Sequence, residues 1–175
     1  SKTMSTLAVN AIQNLSGAHS ITGMGKILQV QSVTKSDVYT NSSNPDTWTD
    51  ITGMSVSITP SSSSNKVLVY AISRVSCNNH ASCAIKRDST LIAVGDADGS
   101  RRPTSVGEQY DLGNSYRSMD SPIMYLDSPS STSSLTYKMC FWAGQTFYFN
   151  RTRYDTNSAS VARPTSGITL MEIGA

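Results

Sequence analysis

The chain has 175 residues, room for one compact domain and a short appendage, and its 15% charged residues and net charge of +2 argue against nucleic-acid binding through bulk electrostatics. No apolar run reaches the roughly twenty residues that a spanning helix needs. Ser (31) and Thr (18) exceed a quarter of the chain, and with Thr favouring strands and Ser favouring turns this composition points to an all-β protein.

The opening "SKTMST" has no initiator Met and reads as a processed chain or a piece of a longer one. Residues 1–25 then carry Leu7, Val9, Ile12, Leu15 and Ile21 between Gly17, Gly23 and Gly25. This arm is too short to bury those side chains alone. It is expected to pack against a neighbouring chain, the alternative being an arm folded back over its own domain.

From Ile27 the pattern becomes strand-like. "KILQVQSVTKSDVYT" reads as a long first strand, and "TWTDITGMSVSITP" alternates Met54, Val56 and Ile58 with small polar residues as a second. "KVLVYAISRVSC" reads as a buried third. "CAIKRDSTLIAVG" is a hairpin turning at Asp88 and Ser89, and "SPIMYLDSP" a strand between Ser/Pro punctuation. "LTYKMCFWAGQTFYFNRT" reads as a second hairpin at Gly144 and Gln145, with Leu135, Tyr137, Met139 and Phe141 on its buried face. "GITLMEIGA" closes the chain. Eight or nine such strands predict a two-sheet antiparallel sandwich of the jelly-roll kind over residues 26–175.

Pro60 ends the second strand because it cannot donate to the ladder, and Ser61–Ser64 are expected to form a flexible crossover; "DSPSSTSSLTY" repeats the device at Pro129. Two long polar stretches, residues 96–120 and 150–167, fit no strand, and such loops on a rigid sandwich are where binding function tends to lie.

"GKILQVQSV", "DITGMSVSITPSSSSNKVLV", "LDSPSSTSSLTYKM" and the terminal "ITLMEIGA", in that order, resemble bacteriophage tail-fibre proteins. The likeness is to the C-terminal head domains of fibres from phages of marine and freshwater bacteria, cyanophages included. It covers almost the whole chain, with "TLAVNAIQNLSG" similar to the last piece of a fibre shaft. The resemblance implies a homotrimeric tip on the virion, assembled in the host cytoplasm, joined to other tail proteins and contacting a bacterial surface glycan or protein receptor. It implies no catalytic residues, cofactor or membrane insertion. A purely structural fibre or decoration protein and a glycan depolymerase are the alternatives.

Reactive groups are sparse. The histidines are His19 and His80, too few candidates for a Ser–His–Asp relay. Asp96, Asp98 and Glu108 are the acids a glycosidase reading would use, and "DADG" resembles the start of a calcium loop without its later ligands. Cys77, His80 and Cys83 stand three apart but lack a fourth metal ligand, and an odd number of cysteines, with Cys140, suits free thiols. Binding a glycan demands less: flat rings and fork-shaped donors. Tyr110, Tyr116 and Tyr154 supply the first, and Arg101, Arg102, Arg117, Arg151, Arg153 and Arg163 the second, suited to phosphate or carboxylate groups. Trp142, at the end of a hairpin strand, is expected in the inter-sheet or intersubunit core.

Overall fold

A computed structural model describes residues 26–43, 47–110 and 116–175, with the backbone alone for 108–110. The arm residues Leu7, Val9, Ile12, Leu15 and Ile21 lie outside the described residues, as does His19.

Among the described residues every regular element is a strand: β1 (Lys26–Lys35), β2 (Tyr39–Asn41), β3 (Thr49–Ile58), β4 (Lys66–Cys77), β5 (His80–Arg87), β6 (Thr90–Ile92), β7 (Val106–Tyr110), β8 (Met119–Asp127), β9 (Leu135–Ala143), β10 (Phe147–Phe149) and β11 (Ser166–Gly174). All pairings are antiparallel. The first sheet runs β1-β11-β4-β10-β2, with β8 on the other side of β4; the second runs β3-β9-β5-β6, with β7 also on β5. Because β10 and β11 lie end to end along β4, and β1 and β2 continue that arrangement, the first sheet is four positions wide. The second is four wide for the same reason at β6 and β7. The two sheets pack as the expected sandwich, in an order compatible with a jelly roll.

Period-two patterning dictates which side chains meet between the sheets. Met54 and Ile58 from β3, Val67, Val69 and Ala71 from β4, Tyr137, Met139 and Phe141 from β9, and Ile168 and Leu170 from β11 are all buried. Phe141 and Phe147 stack at 4.0 Å, and Phe149 follows Phe147 at 6.1 Å. A ring of this kind contributes about 1.5–3 kcal/mol on burial, so this column is a major contact holding the sheets together.

That stack also explains a correction. The segment turning at Gly144 and Gln145 is not a hairpin: β9 lies in the second sheet, whereas β10 pairs with β4 and β2 in the first. The chain turns a corner between sheets, and Phe141 and Phe147 meet across it. Periodicity reports which residues face inward but not which strand is the neighbour. The Asp88–Ser89 hairpin does form, Asp88 taking the left-handed conformation at φ 54°. Three smaller differences follow. The first long strand breaks after Lys35 into β1 and β2, β7 occupies part of the expected 96–120 loop, and Trp142 is half-buried rather than in the inter-sheet core.

The serine tract crosses from one sheet to the other, as expected, and is tied down at its start. Glu172 sits in the inward phase of β11 behind Ile168 and Leu170, 1% exposed, and gathers four donors. Ser61 N and Oγ each donate to Oε1 at 2.7 Å, Asn65 Nδ2 donates to Oε1 at 2.6 Å, and Gln29 Nε2 donates to Oε2 at 2.6 Å. Burial alone would raise its pKa, but these donors prevail and hold it at about 2. A second polar tie joins the sheets nearby. Arg87 Nη1 of β5 donates to both carboxylate oxygens of Asp127 of β8, at 2.8 and 2.7 Å, and the buried Tyr137 hydroxyl donates to Asp127 Oδ2 at 2.6 Å. Burial, then the Asp127 carboxylate, pushes the Tyr137 phenol well above its ordinary range.

The registers give the sandwich two distinct ends. Lys26 pairs with Gly174, Ile173 with Lys66, Val67 with Asp127 and Ile58 with Leu135, so both serine-rich connectors and the entry to β1 share one end, the connector pole. At the other end Phe147 pairs with Cys77, His80 with Tyr110 and Val75 with Met119. That loop pole carries residues 116–118, which lead into β8, and the 150–165 connection. The 12 residues of β4, at roughly 3.3 Å each, put the two poles on the order of 40 Å apart.

Candidate functional site

The loop that follows β10 is fixed at its base by Asn150, fully buried with φ at 58°. Its backbone N–H donates to Arg74 O at 2.9 Å, and its Nδ2 donates to Lys35 O at 2.8 Å and Asp37 O at 3.1 Å. Ser166, at the far end of the same loop, donates to Asn150 Oδ1 at 2.6 Å and accepts from Arg74 N–H at 3.0 Å. Asn tolerates the left-handed region better than other non-glycine residues, and here its amide does the anchoring as well. Ser76 Oγ adds a bond to Arg151 O at 3.1 Å.

Beyond the anchor, the loop is organised around Asp155. Arg163 grips it through Nε at 2.9 Å and Nη2 at 2.5 Å, and Arg151 Nε stands 3.7 Å away. The Arg163 hydrogen bond, aided by the Arg151 charge, lowers the pKa of Asp155. Asp155, Thr156, Asn157, Ser158, Val161 and Arg163 line an open hollow of about 460 Å³. Its wall carries the hydroxyls of Thr156 and Ser158 and the amide of Asn157 beside the apolar Val161, with the charges of Asp155 and Arg163 turned onto one another.

Beside this loop the two long segments meet. Tyr116 and Tyr154 contact edge to face, centroids 5.4 Å apart at 61°, and both stay exposed at 53% and 49%. The Arg153 guanidinium lies 6.0 Å from the Tyr154 centroid, and that of Arg151 lies 4.9 Å from Tyr148. An exposed pair of rings with polar edges is costly surface to leave in water, and it offers the flat faces on which a sugar ring stacks.

A second cluster stands apart. Arg102 lies 3.6 Å over the Trp142 ring, and His80 stacks on that ring at 4.9 Å. Gly144 makes room: a Cβ there would come within 2.4 Å of the His80 ring. Gly144 N–H also donates to His80 O at 3.0 Å, fixing the corner between β9 and β10.

Of the nine residues expected to touch a receptor, the fold therefore joins Tyr116, Arg153 and Tyr154, with Arg151 and Arg163 bound to the adjoining loop acid. Arg101 is turned to Asp98 in a three-residue-spaced ion pair, and Arg102 belongs to the tryptophan cluster. Arg117 is exposed. Tyr110 ends β7 opposite His80; its side chain, like that of Glu108, is outside the described residues. Arg101, Arg151 and Arg163 have their charge met within the loops, by Asp98 or Asp155. Sequence reading passed over Asn150, Asp155 and the Trp142 cluster. The signal for Asn150 was a polar residue closing the apolar run "FYF".

Cys77, His80 and Cys83 do not converge on a site: both thiols are buried, while His80 stacks on Trp142. Burial pushes the Cys83 and Cys140 thiols up to about 12, so both stay protonated and unreactive near neutrality. No family model matches this chain. No curated protein is similar to it.

Proposed function

We propose that this chain is the head of a bacteriophage tail fibre, a homotrimer on the virion that binds a glycan of the bacterial surface through its loop pole. The observation that carries the reading is the meeting of Tyr116 and Tyr154, exposed and from separate loops, beside the hollow under Asp155. The polarity of the sandwich supports it further. The polypeptide enters β1 at the connector pole, at the opposite end of the sandwich from the loop pole.

The lining favours a hydroxyl-rich, largely neutral sugar over a phosphate or carboxylate ligand. Thr156, Asn157 and Ser158 offer donors and acceptors to ring hydroxyls, and the Arg163–Asp155 fork presents the mixed edge that a diol can bridge. Contact of this size gives weak single sites, which three copies on one cell surface raise in avidity by about 10²–10⁴. The mechanism is reversible adsorption.

The test is adsorption of the fluorescently labelled chain to a panel of marine and freshwater bacteria, before and after mild periodate oxidation of the cells. The reading expects binding to at least one strain, lost when vicinal diols are cleaved and lost in a Tyr116→Ala/Tyr154→Ala variant. Binding that survives both treatments overturns it, and absence of binding across the panel favours a structural role for the domain.

A further inference from the structure

The outward phase of the first sheet is apolar where a lone sandwich would be polar. Leu126 of β8 stands opposite Leu68 of β4, Leu68 opposite Met171 of β11, and Met171 opposite Val30 of β1. This is an unbroken apolar row across all four strands. Met124 and Tyr70 lead the next row, finished by Thr169 and Ser32, and the row beyond begins with Pro122 and Ile72. On the other side Ile173 faces Ile27, where a bulge before Gln29 turns both Ile27 and Leu28 outward. Met124 is 75% exposed, Ile27 57%, Leu126 52% and Val30 52%. Charge appears only at the margins, as the Arg74–Asp120 pair at one end and Lys26 and Lys66 at the other.

We infer that this face is the surface through which copies of the chain associate. Four strands about 4.8 Å apart and three row spacings of about 6.8 Å give a footprint on the order of 400 Å². A standard interface buries roughly 800 Å² per partner, with an apolar centre inside a polar rim. The face therefore has the size and composition of an interface centre. Three such faces set around a common axis, with their strands running along it, cover one another. A net charge of +2 opposes self-association little. Packing along the strand direction also keeps the loop poles of the copies side by side. The face stands on these rows alone; the number of copies, three, rests on the fibre reading.

The test uses the full chain and two substitutions at exposed positions, Met124→Glu and Leu126→Glu together, with Ser55→Glu on the outer face of the other sheet as control. Sedimentation equilibrium is expected to give three times the 18.8 kDa chain mass for the wild type and the control, and a single chain mass for the double variant. Peroxide oxidation of Met124 in the wild type checks the face without any substitution. Since only free chains expose it, the rate should fall about tenfold where one chain in ten is free. Two chain masses lost in the double variant would uphold the face and remove the trimer. An oligomer that survives in a double variant with native circular dichroism would overturn the inference. So would a wild type of single chain mass at every dilution, with Met124 protected if the chain's own leading segment covers it and reactive if nothing does. Adsorption to bacteria, measured separately, reports on the receptor reading.

Discussion

Replacing Glu172 by Gln tests whether one buried carboxylate holds the connector pole together. The side chain is 1% exposed and accepts from Ser61 twice, from Asn65 and from Gln29. Its pKa is held at about 2 against an ordinary 4.5. At about 1.4 kcal/mol per unit, that difference corresponds to roughly 3 kcal/mol of stability. Because the folded pKa lies below the unfolded one, this contribution is complete above about pH 5 and drains away as pH falls from 4.5 towards 2. Gln keeps the shape but turns an amide donor towards groups that are already donors, so it loses the charge-assisted bonds without relief. Urea denaturation at fixed protein concentration should therefore show E172Q about 2–3 kcal/mol less stable at pH 7. The gap should narrow to under about 1 kcal/mol by pH 2.5, the variant having a flatter acid limb. Equal slopes for both between pH 5 and 2.5 would refute the reasoning.

The other predictions address the loop pole and the thiols. Asn150→Ala removes three side-chain hydrogen bonds and leaves a left-handed φ to a residue that resists it. It should cost about 2–4 kcal/mol, and amide exchange should speed up across residues 151–165 before the rest of the sandwich. Tyr116→Ala and Tyr154→Ala remove exposed rings, so each should leave the melting temperature within a degree or two while weakening cell adsorption about tenfold, or about 1.4 kcal/mol. Gly144→Ala drives a methyl into the His80 ring, and the tryptophan emission spectrum should shift as the stack on Trp142 opens. Cys77, Cys83 and Cys140 should resist an aromatic disulfide reagent at pH 8 in the native protein and all react in denaturant.

Strand positions were legible because period two is a local property. Met54, Ile58, Tyr137, Met139 and Phe141 each declare their face within a few residues. Pairing partners were not, because they depend on where the chain goes next. The corner at Gly144 looks like a hairpin in sequence, and only the stacking of Phe141 on Phe147 across the two sheets reveals otherwise. The tie on Ser61 went unread for a related reason. Serine is indifferent to being tied down, and the residue that ties it, Glu172, lies 111 positions away. The clue was a carboxylate in the apolar phase of "ITLMEI", where an ionised group must find donors. At the loop pole, composition pointed to tyrosines and arginines, and Tyr116 and Tyr154 do meet. Composition said nothing of Asp155, which decides that Arg151 and Arg163 spend their charge within the loop.

The way Asn150 and Ser166 close the last loop has a corollary for protein engineering. The clasp is made by the two residues at the gate with backbone from Arg74, Lys35 and Asp37, and its hydrogen bonds use no side chain from the cassette in between. A foreign sequence grafted at 151–165 would leave every bond of that clasp in place.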